Sequence, residues 1–245
     1  MVVTGNNPAR IQWLVTHFGN EFAIKDLRFL HHFLGIEVRH FNHGLFLCQT
    51  RYAKDFLSRA HLEGCKALAT PTAFLSRKLS TNDELFLDPT HYRSIVSALQ
   101  YPTFTRPDIS YNVNFVCQFM HSFTMAHFKL VKRILRYISG TTHFGMRILS
   151  SSSFNLYAFL DAEWAGCPAT RRSTMRFYTF LRSNCISWSA KKQAIVARSS
   201  VEAEYRSMAS ATAELTRLSF LLHDIGLPLP KQSTPFFVTI LVPFI

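Results

Sequence analysis

The sequence predicts an α+β fold: a hairpin and a run of helices, followed by a C-terminal third of order β-β-β-α-β. Three observations carry this reading. Apolar residues recur at helical spacing across 127–139, marking an amphipathic helix. The pattern then changes to short apolar, strand-like runs after the serines at 150–153. A single long helical stretch, 201–224, separates those strands from a closing apolar run at 236–245. With 245 residues, 48% of them hydrophobic, the chain is long enough to bury a core and form one or two domains.

Each element has a local reason. Pro8 opens a short helix to Gly19, with Ile11, Leu14, Val15 and Phe18 on one face. Leu30–Arg39 and Leu45–Gln49 form β-compatible runs joined by F-N-H-G, a hairpin with Asn42 and Gly44 near its turn. A helix follows from Arg51 to Ala60, and 66–80, holding Thr70, Pro71 and Thr72, has no clear period and connects. Asp88-Pro89 opens the next helix, with Tyr92, Ile95, Val96 and Leu99 in register; Thr105 to Asp108 interrupts, and helix resumes over Ile109–Met120. In 127–139 the stripe is Leu130, Val131, Ile134, Leu135 and Ile138, and Gly140 stops the helix. The serines form a short linker. Strands are expected over 154–161, roughly 174–181 and 184–189. The helix from Val201 to Asp224 is capped by Ser199 or Ser200 and ended by Gly226, and the closing run supplies a fourth strand.

Charge narrows the function. The chain carries a formal +12, and between Asp108 and Glu202 twelve Lys/Arg face only two acids, Asp161 and Glu163, a net +10. Isolated carboxylates on an apolar strand in a basic surround point to divalent-metal ligands in a polyanion-binding protein; a solvated surface strand is the bland alternative. Lys129, Lys132, Arg133 and Arg136 form the polar face of the amphipathic helix. Arg171, Arg172, Arg176, Lys191, Lys192 and Arg198 have no interleaved acids, and Trp164, Tyr178 and Trp188 nearby offer stacking surfaces. Both sets are candidate nucleic-acid contacts, against the reading of a solvated face. Five scattered cysteines without a C-x-x-C argue against a zinc site and a disulfide framework and favour a reducing compartment. No basic-then-apolar leader opens the sequence, and the closing apolar run is half of what a membrane span needs. An intracellular protein, cytoplasmic or nuclear, with no membrane partner is expected. Histidine spacing supports no metal role, and no nucleophile-elbow motif accompanies the serines.

Two carboxylates stand out. Asp161 and Glu163, two apart on a strand, leave one face together. Glu204 lies in register with Met208, Ala211, Leu215 and Leu218, the side expected to cover the sheet, where an acid is either costly or employed. Glu202 sits four residues before Arg206 and reads as a surface ion pair. Asp161 and Glu204 are therefore expected to converge, as carboxylates holding a pair of ions for phosphodiester cleavage do; Glu204 at the rim of the stripe, reaching solvent or an arginine, is the plain alternative.

Sequence words across nearly the whole chain resemble the polyprotein of copia-type LTR retrotransposons. D-A-E-W-A-G-C-P-x-T-R-R-S-T (161–174), I-S-W-S-A-K-K-Q (186–193) and S-S-V-E-A-E-Y-R-S-M-A (199–209) are similar to its RNase H domain. F-A-I-K-D-L and F-L-G-I-E-V (22–38), Y-R-S-I-V-S-A-L-Q-Y (92–101), T-R-P-D-I (105–109) and V-K-R-I-L-R-Y-I-S-G-T (131–141) resemble the end of its reverse transcriptase, in the family's order. The resemblance implies a palm remnant and connector over 1–87, thumb or connection helices over 88–149, and a truncated RNase H-like α/β domain over 154–245. It implies RNA-directed DNA synthesis and hybrid cleavage in the parent, Mg²⁺ as cofactor, and RNA–DNA hybrid or another nucleic acid as partner. Asp161 takes the first catalytic, metal-ligating position and Glu204 the second.

The departures bear on activity. The family's Y-V-D-D box would lie just before V-T-G-N-N (3–7), and the closing run F-V-T-I-L-V-P-F-I carries no acid where a third ligand is expected. A fourth ligand, further on, is missing too. Glu163 stands where the family usually has Asp. Met175-Arg176 replaces a Ser-Gly-like pair, which puts the tight turn after the second strand in doubt. The expectation is a fragment inactive alone, holding Mg²⁺ weakly or at one site at most. The alternatives are a non-catalytic nucleic-acid-binding protein derived from it and a pseudogene product without function.

Overall fold

The computed structural model describes residues 2–26, 29–72, 84–150, 155–167, 169–227, 229 and 237–239. It is a mixed α and β structure with two sheets. Helix α1 (Pro8–Glu21) opens on Pro8, with the Asn7 carbonyl side chain accepting from the Arg10 amide, and none of its residues is buried. Strands β1 (His32–Phe33), β2 (Ile36–Phe41) and β3 (Gly44–Cys48) follow, then α2 (Thr50–Arg59).

The run expected as one strand over Leu30–Arg39 folds back on itself. Leu34 and Gly35 both take positive φ, 46° and 72°, so Phe33 pairs with Ile36 across a two-residue turn. This is the handedness that suits twisted antiparallel strands. Glycine is required at Gly35 for a second reason: a Cβ there would strike the Tyr101 ring. The second turn, Asn42-His43, falls where the sequence predicts it.

Helices α3 (Pro89–Gln100), α4 (Pro107–Cys117) and α5 (Met125–Gly140) make up the middle, with a 3-10 turn at Pro102–Phe104 between the first two. Asp88 caps α3, accepting from the His91 amide at 2.9 Å. His127 accepts from the Thr124 amide at the start of α5, closing a capping box that satisfies donors the helix cannot pair itself. Val131, Ile134, Leu135 and Ile138 of α5 are buried against Tyr92, Val96 and Leu99 of α3, with Phe56 and Leu57 of α2. The predicted stripe is the buried one, and Leu130 lies at its edge.

Strand β4 (Gly145–Leu149), which the local pattern does not reveal, pairs antiparallel with β3 and completes the first sheet in the order β1-β2-β3-β4. Packing thus crosses the boundary expected at 87/88, since α2 shares a core with α3 to α5 and β4 returns to the hairpin. The linker serines 151–153 and the connector beyond residue 72 lie outside the described residues.

Strands β5 (Leu156–Glu163), β6 (Thr174–Leu181) and β7 (Asn184–Lys192) form an antiparallel meander, followed by α6 (Ser200–Asp224) and β8 (Phe237–Thr239). The helix crosses over so that β8 lies parallel to β5, giving the order β7-β6-β5-β8. The closing run is a strand at 237–239; its remainder, with Pro243, lies outside the described residues. Leu156, Ala158, Leu160 and Phe177 bury against Ala211, Leu215 and Leu218 of α6. The opposite face of this sheet meets the helical middle, where the Trp188 indole donates to the Thr103 carbonyl at 3.2 Å. Among the described residues, no helix is long and apolar enough to cross a membrane.

Candidate functional site

Chain direction places Asp161 at a distinctive point. The last pair between the parallel strands is Leu160 with Thr239, so Asp161 sits just past it, beyond the carboxyl end of β8. The crevice outside the carboxyl ends of parallel strands is where open α/β sheets take their ligands. Helix α6 approaches at the same level: Ser207, fully buried, is within hydrogen-bond reach of the Asp161 carbonyl at 3.2 Å and of the Arg176 carbonyl at 3.4 Å.

The side chains divide differently from the backbone. Successive residues of a strand face opposite ways. Leu156, Ala158 and Leu160 point into the core beneath α6, so Asp161 points to the other face. There its carboxylate pairs with Arg176 at 2.6 Å, the residue directly opposite on β6. The Arg176 guanidinium lies 4.6 Å from the centroid of the Tyr111 ring, on α4. The Tyr111 hydroxyl in turn donates to Glu163 at 2.7 Å. Asp161 and Glu163 therefore share a face, as their spacing predicts, and that face is occupied by Arg176 and Tyr111.

Glu204 stands one turn before Ser207 and is half-buried. The line of α6 that meets the sheet is Ala203, Ser207, Ala211, Leu215, Leu218 and Leu222; it shares Ala211, Leu215 and Leu218 with the expected stripe and departs from it toward the N-terminus, where Glu204 and Met208 lie along its edge. The small side chains of Ala203, Ser207 and Ala211 let the helix come close to the strands; hydropathy alone weights the larger Met208 too heavily. The structure brings the elements carrying Asp161 and Glu204 together, while the ion pair that Asp161 makes is with Arg176. Glu202 is the surface pair that the sequence predicts. It accepts from Arg206 at 2.7 Å and from the Arg198 amide at 2.6 Å, and the Arg206 guanidinium holds its carboxyl below the usual carboxylate range. Ser199 is the cap.

As placed, these donors do not fit a pair of divalent ions. A guanidinium already neutralises the first carboxylate, and among the described residues no group of three or more His, Cys, Asp or Glu gathers as metal ligands do. Met175 and Arg176 lie inside β6, opposite Ala162 and Asp161, and the tight turn after that strand is present: Leu181 pairs with Asn184 across Arg182 and Ser183, with Arg182 at φ 60°.

The basic candidates fall into two places. At the end of the second sheet, Lys191 and Lys192 pair across from Met175 and Thr174, and Arg171 and Arg172 sit in the loop leading into β6. Arg171, Arg172 and Lys191 are exposed. The loop is held by buried polar groups: the Ser173 hydroxyl accepts from the Ala165 amide, and the Gln193 amide donates to the Ala203 carbonyl at 2.8 Å. Lys192 lies 3.2 Å from the Cys167 sulfur. Burial pushes the Cys167 thiol up, but hydrogen bonds from Thr170 and Lys192 outweigh it and draw it below its ordinary value.

On α5 the four cations are not equivalent. Lys129 and Lys132 are exposed, Lys132 over the Phe128 ring at 4.9 Å. Arg133 donates to the Thr70 hydroxyl at 2.8 Å and Arg136 to the Lys66 carbonyl at 2.7 Å, so both are engaged in fastening the connector. Tyr111 and Ser207 escape assignment from sequence, and Arg176 is read there as a patch cation and not as the partner of Asp161, because each acts through a neighbour that only the folded register supplies.

Known proteins similar to this chain share its sequence order from end to end. An uncharacterized mitochondrial protein of Arabidopsis thaliana is 49% identical over 216 residues, 88% of this chain and 90% of that protein. The retrovirus-related Pol polyprotein from transposon RE1 of Arabidopsis thaliana is 43% identical over 232 residues, covering 94% of this chain and 16% of the polyprotein. The retrovirus-related Pol polyprotein from transposon TNT 1-94 of Nicotiana tabacum is 30% identical over 236 residues, 93% of this chain and 18% of its own length. The chain thus spans under a fifth of the transposon polyproteins that it matches. No protein-family model and no solved structure matches it. Collinear similarity along nearly the whole chain is decisive: it belongs to the family of retrovirus-related transposon Pol polyproteins.

Proposed function

We propose that this chain is the connection and RNase H-like portion of a copia-type Pol polyprotein, and that it binds nucleic acid, RNA–DNA hybrid above all, without polymerising or cleaving it. The observation that carries the proposal is the exposed cationic end of the second sheet, formed by Arg171, Arg172 and Lys191. Such a surface displaces the counterions condensed on phosphates, and the gain is largely independent of sequence. The order β-β-β-α-β, with β8 parallel to β5 and α6 across one face, supports the RNase H-like assignment.

Catalytic silence at the acidic site has one support. Where the parent would use Mg²⁺ to activate water and steady the leaving oxygen, Asp161 here neutralises Arg176 instead. What the residues present do is bind and orient: the cations draw in the phosphate backbone, and the buried Ser173 and Gln193 that hold the loop set their spacing.

The test is fluorescence anisotropy with a labelled RNA–DNA hybrid. Saturable binding at low salt, weakening steeply as KCl rises, is the expected result. No binding at low salt, or affinity indifferent to KCl, contradicts the proposal.

A further inference from the structure

We infer that Arg176 is the resident cation of the Asp161 site, a fixed guanidinium standing where a divalent metal would otherwise be held. The inference deepens the RNase H-like reading and rests on it. Three interactions point the same way. Arg176 meets the Asp161 carboxylate at 2.6 Å from the directly opposed position on β6. Its guanidinium is backed by the Tyr111 ring, which restricts it to the strand face. Tyr111 is itself fixed by its hydroxyl, which donates to Glu163. The pair is only partly open to water, with side chains 20% and 26% exposed. A divalent ion approaching Asp161 must therefore displace a tethered charge from a partly desolvated site, with the like charge of Arg176 opposing it.

Removing the guanidinium leaves Asp161 and Glu163 side by side on one face, two oxygen donors of the kind that hold Mg²⁺ or Mn²⁺ with several waters. The site then accepts the ion that Arg176 excludes. The arginine also explains why the chain tolerates a carboxylate on the face that α4 covers: the acid arrives already neutralised.

The experiment is Mn²⁺ binding to the full chain, read from the loss of the free-ion electron paramagnetic resonance signal. Two variants are compared with the unaltered protein: Arg176→Gly, and Arg176→Gln, which keeps most of the side-chain volume against Tyr111. Circular dichroism confirms that each is folded. The unaltered chain is expected to show no Asp161-dependent loss of the free-ion signal, and each variant to show a saturable one. That gain should vanish when Asp161→Asn is added. Asp161-dependent Mn²⁺ binding by the unaltered chain overturns the inference, as does a folded variant of either kind that gains none. Hybrid binding measured on the same samples separates the two readings. If Mn²⁺ is gained while no sample binds hybrid, the nucleic-acid proposal fails and the inference about Arg176 stands.

Discussion

Replacing Arg106 by methionine should cost about 3–5 kcal/mol of stability, among the largest losses available from one surface-to-core arginine in this fold. Its side chain is 6% exposed and ties the start of α4 to the end of α5. It donates to Asp108 at 2.7 Å, and to the Thr141 carbonyl and hydroxyl at 2.9 and 2.8 Å, with the Tyr137 and Phe144 rings on its flanks. Methionine fills much of the volume but leaves the Asp108 carboxylate and the Thr141 carbonyl without their donor. Asp108 is 32% exposed and so partly hydrated, and the larger share of the loss comes from the buried Thr141 carbonyl and hydroxyl left without a donor. The Tyr137 phenol remains on Asp108 at 2.8 Å, a partial substitute; burial first, and that carboxylate second, push its pKa up to about 12. Urea unfolding of the two proteins measures the difference. A midpoint unchanged at equal slope would show that the cluster is ornamental to stability.

Neutralising Arg171, Arg172, Lys191 and Lys192 together should lower hybrid affinity by roughly 100-fold at low salt, and flatten the log–log salt slope by roughly 0.7–0.9 for each phosphate no longer neutralised. The same number of changes on α5 should do less. Arg133 and Arg136 fasten the connector through Thr70 and Lys66, which leaves Lys129 and Lys132 as its exposed cations. Changing the α5 arginines should instead lower the melting temperature. A slope that responds to the α5 set and ignores the sheet-end set would move the binding surface to the helix.

The contrast between those two patches shows what a sequence reveals and what it withholds. Helix α5 is legible because its 3.6-residue period and the glycine at its end lie within one stretch, whereas its Thr124–His127 capping box does not show in the pattern. The spacing of Asp161 and Glu163 correctly places them on one face, since alternation is a local property of a strand. Strand β4 is not legible: Gly145–Leu149 is short, and what makes it a strand is pairing with β3, about a hundred residues earlier. Leu30–Arg39 reads as continuous because hydropathy does not register that Leu34 and Gly35 turn back. Glu204 lies at the edge because the buried line departs from the expected stripe toward the N-terminus of α6, where small side chains rather than large ones set the line of close approach. In the sequence Arg176 registers only as one cation of a basic patch and as part of a departure from a Ser-Gly-like pair. Its consequence needs the register of β5 against β6, which no local pattern encodes.

The central proposal is that the chain keeps the fold and the polyanion surface of its polyprotein relatives and has exchanged metal for arginine at the acidic site. Incubating the full chain with an end-labelled RNA–DNA hybrid and Mg²⁺, then resolving bound and cut species on native and denaturing gels, tests it most directly. The expected result is a retarded complex whose RNA strand stays intact. Mg²⁺-dependent cuts that disappear on Asp161→Asn would contradict it.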